Sequence, residues 1–216
     1  MIESAAMIGD CRDILPTLDA ASVHTCVTSP PYWGLRDYGH AGQLGLEETP
    51  EAYVESMVAV FREVRRVLRD DGTLWLNLGD SYASDTKGSG GPSDKQLRNA
   101  GSRHEPMRLR HGLKPKDLVG IPWRVAFALQ ADGWYLRSDI IWHKPNPMPE
   151  SVTDRPTKAH EYIFLFSKSA RYYYDDEAIR ETATGRAPGN RTHKYTDAYR
   201  NGDEYSRTKG GLVAIG

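Results

Sequence analysis

The chain has 216 residues and a formal net charge of -1 at pH 7. That length allows one α/β domain with a sizeable core and is short for two domains. No run of about 18 apolar residues and no N-terminal secretion signal is present, so we expect a cytoplasmic protein with no membrane partner. The two cysteines predict no structural disulfide, and the seven scattered histidines predict no metal site.

The first half of the chain alternates predicted helices and strands. Residues 12–18 predict a short helix and residues 23–28 a strand. A longer helix with apolar residues at helical spacing begins after its predicted N-cap, Thr49. Asp70-Asp71-Gly72 predicts a turn from that helix into a strand over residues 73–78. This strand, helix, strand order predicts parallel neighbouring strands.

The second half begins with a long polar segment. Residues 84–112 show no apolar periodicity, and a loop of this length inside a compact domain is typically functional or disordered, so we expect it to be mobile. A third helix follows, with Pro122 near its start. Residues 135–142 and 162–166 predict two strands, and the second is nearly all apolar, which predicts burial on both faces.

Two Gly-rich stretches are basic although the whole chain is nearly neutral. Residues 85–111 carry six Lys and Arg against three acids, and residues 180–209 carry seven against four. Basic arms of this kind are typical of proteins that approach phosphate groups. Without a catalytic motif beside them, solvated loops would explain them almost as well.

The segment Thr28-Ser29-Pro30-Pro31-Tyr32-Trp33, at the end of the first predicted strand, carries the most chemical information. Two consecutive prolines stop strand pairing because they lack N–H groups. The nearby carbonyls are then free to accept hydrogen bonds, and Tyr32 offers an aromatic face. A primary amine on a planar ring suits such a site. The alternative is a Pro-Pro turn with an aromatic staple.

Ser29-Pro30-Pro31-Tyr32 after an apolar strand resembles the catalytic motif of the S-adenosylmethionine-dependent amino-methyltransferases of DNA, which modify cytosine or adenine. The segments that begin at Ile8, Gly72, Asp139 and His160 resemble further parts of that family, in the family's order. The resemblance implies an α/β, Rossmann-like methyltransferase fold with a mostly parallel sheet. It also implies that residues 1–176 form the catalytic region, which includes the basic loop 84–112, and that residues 177–216 are a polar basic tail, the possible start of a target-recognition region.

The resemblance further implies roles for single residues. The partner would be double-stranded DNA whose target base leaves the stack. The implied catalytic residues are Ser29, Pro30, Pro31 and Tyr32; the implied cofactor contacts are Asp10, Cys11, Asp80 and Ser81; the implied substrate contacts are Trp33, Lys144 and Asn146. The alternatives are a helix N-cap for Asp10, a turn-forming hydroxyl for Ser29, a packed aromatic for Trp33, and a solvated turn for Lys144 and Asn146.

Asp10, Ser29 and Asp80 each follow a predicted apolar strand. Because parallel strands share a carboxyl end, we expect these three residues at one edge of the sheet.

One part of the family pattern is absent. The family's Gly-rich cofactor loop has no counterpart in this sequence, and in the permuted order that places Ser-Pro-Pro-Tyr first it would come near the C-terminus. We therefore expect a fold that is incomplete at the C-terminus, a missing C-terminal segment, and weak cofactor binding by this chain alone. A catalytically silent DNA-binding fragment is the alternative to an enzyme.

The target base follows only weakly from the motif. Serine at position 29, instead of the Asp or Asn more common for adenine, favours N4 of cytosine, with N6 of adenine as the alternative. We expect a bacterial or phage gene.

Overall fold

The structure is a computed structural model that describes residues 5–83, 113–147 and 149–180. One structural unit ends at Tyr173 and another begins at Tyr174. The basic loop 84–112 and nearly all of the tail 177–216 lie outside the described residues, so the expectations for both stay predictions.

Within the described ranges, helices and strands alternate along most of the chain. In chain order they are α1 (Cys11–Ile14), a 3-10 turn (Leu15–Thr17), β1 (Val23–Thr28), α2 (Pro50–Val67), β2 (Leu68–Leu78), α3 (Ile121–Ala131), β3 (Tyr135–His143) and β4 (His160–Ser167). All three predicted helices are present, and so are the four strands predicted after residue 20, whereas the strand predicted before Asp10 is not. No described helix is both long enough and apolar enough to cross a membrane.

Helix α2 forms as its sequence predicts. The Thr49 hydroxyl caps it by accepting a hydrogen bond from the Ala52 N–H at 2.9 Å. Its apolar stripe, which includes Tyr53, Met57 and Phe61, is buried against the sheet and the neighbouring helix. This face anchors α2 in the core.

The predicted turn at residues 70–72 is present, but it lies inside β2. Helix α2 ends at Val67 and β2 begins at the next residue, Leu68, which is fully buried and pairs with Val23 of β1. The strand therefore begins earlier than residue 73, because Leu68 already lies beside β1.

The turn itself is seen in the pairing of β1 and β2. The register shifts between the pair Val23 and Leu68 and the pair Thr25 and Thr73, so residues 69–72 are an irregular segment of β2. A Cβ on Gly72 would lie 2.9 Å from the Arg69 carbonyl oxygen and 3.2 Å from the Leu68 Cβ, which is possible only where the chain folds back.

The sheet has the strand order β1-β2-β4-β3. Strand β1 is parallel to β2, as expected, whereas β4 is antiparallel to both of its neighbours. The four described strands therefore form a mixed sheet, and the expectation of a mostly parallel one is not met. Antiparallel strands need no crossover helix, and the described residues between β3 and β4 contain none.

The core lies between one face of the sheet and helices α2 and α3. Phe164 and Phe166 of β4 are fully buried, and the rings of Phe164 and Trp123 meet edge to face with their centroids 5.1 Å apart. The expected burial of β4 on both faces is confirmed for residues 164–166, whereas Tyr162 and Ile163 are half-buried. The half-buried end of β4 is the end that approaches the candidate site.

Candidate active site

Strands β1 and β2 bring their following segments to the same edge of the sheet, because the two strands are parallel. Ser29 follows β1 directly, and Asp80 comes shortly after β2, so these two residues emerge at one edge as expected. Asp10 does not follow a strand. Residues 5–9 lie outside any strand, and Ile8 is 99% exposed, since no described strand pairs with this segment.

Two contacts fix the backbone of the Ser-Pro-Pro-Tyr segment. The buried Tyr53 of α2 donates its hydroxyl hydrogen to the Pro31 carbonyl at 2.9 Å. Gly45 packs closely against the same segment: a Cβ there would lie only 3.0 Å from the Tyr32 carbonyl oxygen, and its φ of +95° is a conformation that favours glycine. These contacts position the backbone that carries Ser29 and Tyr32.

Trp33 belongs to the core. Its side chain is 7% exposed, and its indole N–H donates to the Glu47 carbonyl at 2.9 Å. The packed-aromatic alternative is therefore the one that the structure supports, and little of the indole surface is available to a base.

Four polar side chains are linked at this edge of the sheet, those of Ser29, Tyr32, Asn77 and Glu161. Ser29 Oγ lies 3.1 Å from Tyr32 Oη and 3.3 Å from Asn77 Oδ1. The Tyr32 hydroxyl donates to Asn77 Oδ1 at 2.7 Å, and Tyr32 Oη lies 3.4 Å from Glu161 Oε2. Glu161 in turn forms an ion pair with Lys144. We call Ser29, Tyr32, Asn77, Glu161 and Lys144 the amine cluster.

The charges of the amine cluster are set by its surroundings. Burial raises the pKa of Glu161, but hydrogen bonding and the charge of Lys144, with help from Asn77 and Tyr32, outweigh burial, and the net pKa is lowered. Burial raises the pKa of Tyr32, so its hydroxyl keeps its hydrogen at neutral pH. The cluster therefore presents an ionised carboxylate behind two protonated hydroxyls.

Gly79 lies directly beneath the Tyr32 ring. A Cβ at this position would be 2.5 Å and 2.6 Å from two carbon atoms of that ring, which is closer than real Cβ contacts come. The absence of a side chain at position 79 therefore allows Tyr32 to reach Asn77.

Sequence reasoning missed Asn77 and Glu161. A signal was present for Asn77, because a polar residue inside an otherwise apolar strand needs a partner when it is half-buried. Glu161 carried no such signal, since it follows His160 at the start of β4 and lies before the predicted strand 162–166. Lys144 was singled out, and the structure brings it to the amine cluster as the partner of Glu161. Asn146 is exposed in the following loop, and its predicted role stays a prediction.

Asp10, a predicted cofactor residue, bonds to its own helix. Both of its carboxylate oxygens bond to Arg12, and Asp10 also caps α1 by accepting from the Arg12 backbone N–H at 2.8 Å. Those hydrogen bonds lower the pKa of Asp10 to about 2. Cys11 is exposed as a residue, but partial desolvation of its thiol, followed by the charge of Asp10, raises the pKa of that thiol. The cofactor roles of Asp10 and Cys11 stay predictions.

Asp80 and Ser81 accept hydrogen bonds from the start of α3 and the loop before it. Asp80 Oδ1 accepts from the backbone N–H groups of Ser81, Gly120 and Ile121, at 2.9–3.0 Å, which satisfies the start of α3. The cofactor roles predicted for Asp80 and Ser81 stay predictions. In the described ranges, no group of three His, Cys, Asp or Glu side chains could hold a metal ion.

The described residues form an α/β protein with a polar cluster at the carboxyl edge of two parallel strands, and comparisons with known proteins give the family. The sequence model described as DNA methylase matches residues 23–209, so the chain belongs to that family.

Known relatives are longer than this chain. The Type II methyltransferase M.SmaI of Serratia marcescens is 57% identical over 178 residues, which cover 82% of this chain and 60% of M.SmaI. The chain thus spans about three fifths of the length of that relative.

Two solved structures are similar. TTHA0409 of Thermus thermophilus, a putative DNA modification methylase solved in complex with S-adenosyl-L-methionine, matches with a TM-score of 0.50 and 26% identity over 87% of this chain and 62% of its own. The cytosine-N4-specific PvuII DNA methyltransferase matches with a TM-score of 0.55 and 18% identity over 90% of this chain and 61% of its own, and it supports the fold alone.

Proposed function

We propose that this chain is the base-holding part of an S-adenosylmethionine-dependent DNA methyltransferase that modifies the exocyclic amine of a base rotated out of the duplex. The observation that carries the proposal is the amine cluster, which lies at the carboxyl edge of β1 and β2 with Ser29 at its front. Family membership and the cofactor bound by the Thermus protein support the reaction class.

The cluster explains how an amine would be held. One amine hydrogen would bond to Ser29 Oγ and the other to the Pro30 carbonyl, which draws the nitrogen lone pair out of conjugation with the ring. The Pro31 carbonyl already accepts the hydrogen of the Tyr53 hydroxyl, which leaves the Pro30 carbonyl as the proposed second acceptor. Reactivity of this kind depends on orientation and on stabilising the developing charge more than on a strong base.

We further propose N4 of cytosine as the target. Serine in place of Asp or Asn at position 29 is the reason, and N6 of adenine is the alternative. The cytosine specificity of the PvuII enzyme is consistent with this choice but belongs to a protein of low sequence identity.

The test is a methylation assay with product analysis. The 216-residue chain would be expressed alone and together with the part of M.SmaI that lies outside the match, then incubated with DNA and S-adenosylmethionine that carries a labelled methyl group. Digestion to nucleosides and mass analysis should find labelled N4-methylcytosine in the combined preparation. N6-methyladenine would move the target to adenine, and DNA binding without any methylated nucleoside would favour the silent DNA-binding fragment.

Ser29→Ala should slow methyl transfer in the active preparation by roughly tenfold or more, a larger loss than its loss of DNA affinity. The physical reason is that a hydrogen bond which strengthens as the amine becomes tetrahedral stabilises the transition state more than the ground state. Single-turnover rates and DNA titrations with the same variant measure the two effects separately. Equal losses in rate and affinity would show that the hydroxyl only shapes the turn.

A further inference from the structure

The hydrogen-bonding direction inside the amine cluster can be read from Asn77. Its amide Nδ2 donates to the Tyr162 carbonyl at 3.0 Å, so the Oδ1 atom faces the two hydroxyls. A carbonyl oxygen can only accept hydrogen bonds. The Tyr32 hydroxyl, 2.7 Å from Oδ1, therefore points its hydrogen inward.

Glu161 reinforces this direction. Its Oε1 is paired with Lys144, and its Oε2 faces Tyr32 Oη at 3.4 Å. An ionised carboxylate has no hydrogen to donate. Asn77 Oδ1 and Glu161 Oε2, the two groups on the inner side of the hydroxyls, are thus both hydrogen-bond acceptors. Neither of them donates a hydrogen to Ser29 or Tyr32.

The consequence falls on Ser29. Its hydroxyl has one hydrogen, and the nearby oxygens, Tyr32 Oη at 3.1 Å and Asn77 Oδ1 at 3.3 Å, both lie on the inner side. With that hydrogen directed inward, the lone pairs of Ser29 Oγ are left for an incoming donor. A protonated or amide group at position 161 could donate to Tyr32 Oη, and the Ser29 hydrogen would then be free to turn toward the ligand.

We propose that Glu161 is a positioning residue which, held by Lys144, keeps the Ser29 hydroxyl acting as a hydrogen-bond acceptor for the target amine. The inference rests on the proposed function. A purely structural role is the competing explanation, since an ion pair between the end of β3 and the start of β4 would also tie these strands together.

The experiment measures recognition of the amine by binding alone. The full 216-residue chain would be titrated with a single-stranded deoxycytidine decamer and with the matching decamer of 2-pyrimidinone, which is cytosine without its amine. We expect wild type to prefer the cytosine decamer by about fivefold to tenfold, the worth of one or two hydrogen bonds. Glu161→Gln should reduce the preference to about twofold or less, the part that the Pro30 carbonyl supplies, and Glu161→Asp should keep more of it.

The matched control is Glu51→Gln. Glu51 also pairs with a cation, Arg124 at 2.8 Å, and none of its described contacts involves the amine cluster. This variant should keep the full preference. Retention of the preference in Glu161→Gln, with wild type selective, would overturn the inference and leave the proposed function standing. No preference in wild type would contradict the proposed function and the inference together.

Lys144→Met tests the same inference if Glu161→Gln does not fold. The charged or titratable groups that face Glu161 are Lys144, after β3, and Tyr32, after β1; Asn77 of β2 is uncharged, and the His160 ring packs on Tyr162. Lys144→Met removes the cation that lowers the pKa of Glu161, so that pKa should rise. The preference of Lys144→Met should then fall as pH is lowered from about 8 to about 5.5, whereas wild type stays flat. Identical profiles for both proteins would overturn the inference.

Discussion

Gly79→Ala is expected to destabilise the folded chain by about 1–3 kcal/mol, the usual cost of forcing extra volume into a packed site. The new Cβ would lie 2.5 Å from a carbon of the Tyr32 ring, so the ring must move. Movement of the ring separates the Tyr32 hydroxyl from Asn77 Oδ1 and disrupts the amine cluster. Urea unfolding measures the loss of stability. The preference for the deoxycytidine decamer over the 2-pyrimidinone decamer should be lost as well.

The control for this prediction is a double-mutant cycle with Tyr32→Ala. Gly79 is not in the left-handed region, so alanine fits its backbone, and without the Tyr32 ring the same substitution should be neutral or stabilise by about 0.4–1 kcal/mol. The sign of the effect should therefore reverse between the two backgrounds. Equal destabilisation in both would mean that the ring contact is not the cause.

Phe164→Ala should destabilise the folded chain by about 3–5 kcal/mol, more than Gly79→Ala. Phe164 is fully buried in β4, between β2 and β3, and its ring contacts Trp123, Tyr162 and Phe166. Removing it leaves a cavity that these neighbours cannot fill without leaving their own positions. Urea unfolding measures the lost free energy of unfolding, and the m-value, its dependence on urea concentration, should not change.

Phe127→Ala provides a control of the same chemistry. Phe127 stands on α3 and also contacts Trp123, at a centroid distance of 5.5 Å, but its side chain is 56% exposed. Its loss should cost at most about 1 kcal/mol, since water already covers much of the ring. Comparable losses for the two variants would mean that β4 is not the centre of the core.

Sequence reasoning was most accurate where one local rule decides the structure. The cap at Thr49 and the helical spacing of Tyr53, Met57 and Phe61 determine α2, and the paired prolines determine where β1 ends. Tertiary context decided the rest. Strand β2 begins at Leu68, before the turn at residues 69–72, because Val23 of β1 lies beside Leu68, and no local signal in the sequence shows that pairing.

The candidate site followed the same division. Ser29 and Tyr32 were found because they share a short motif, whereas Asn77 and Glu161 stand far apart in sequence and meet only when β2 and β4 pair. Asp10 and Asp80 show the opposite case. Each carboxylate was expected to face a ligand, but backbone N–H groups at a helix start use Asp10 and Asp80 first.

The turn inside β2 has a consequence for how this gene can vary in length. Tyr53, which contacts Pro31, and Asn77, which contacts Ser29, are carried by one stretch of chain, and β2 pairs with β1 without a further register shift from Thr73 onward. Because strand side chains alternate between faces, one residue inserted between Thr73 and Asn77 would turn Asn77 away from Ser29 unless β2 shifted its pairing with β1 and β4. Insertions and deletions within the described part of this lineage should therefore accumulate in the turn at residues 69–72 and in surface connections, such as that between β3 and β4, and spare residues 73–77.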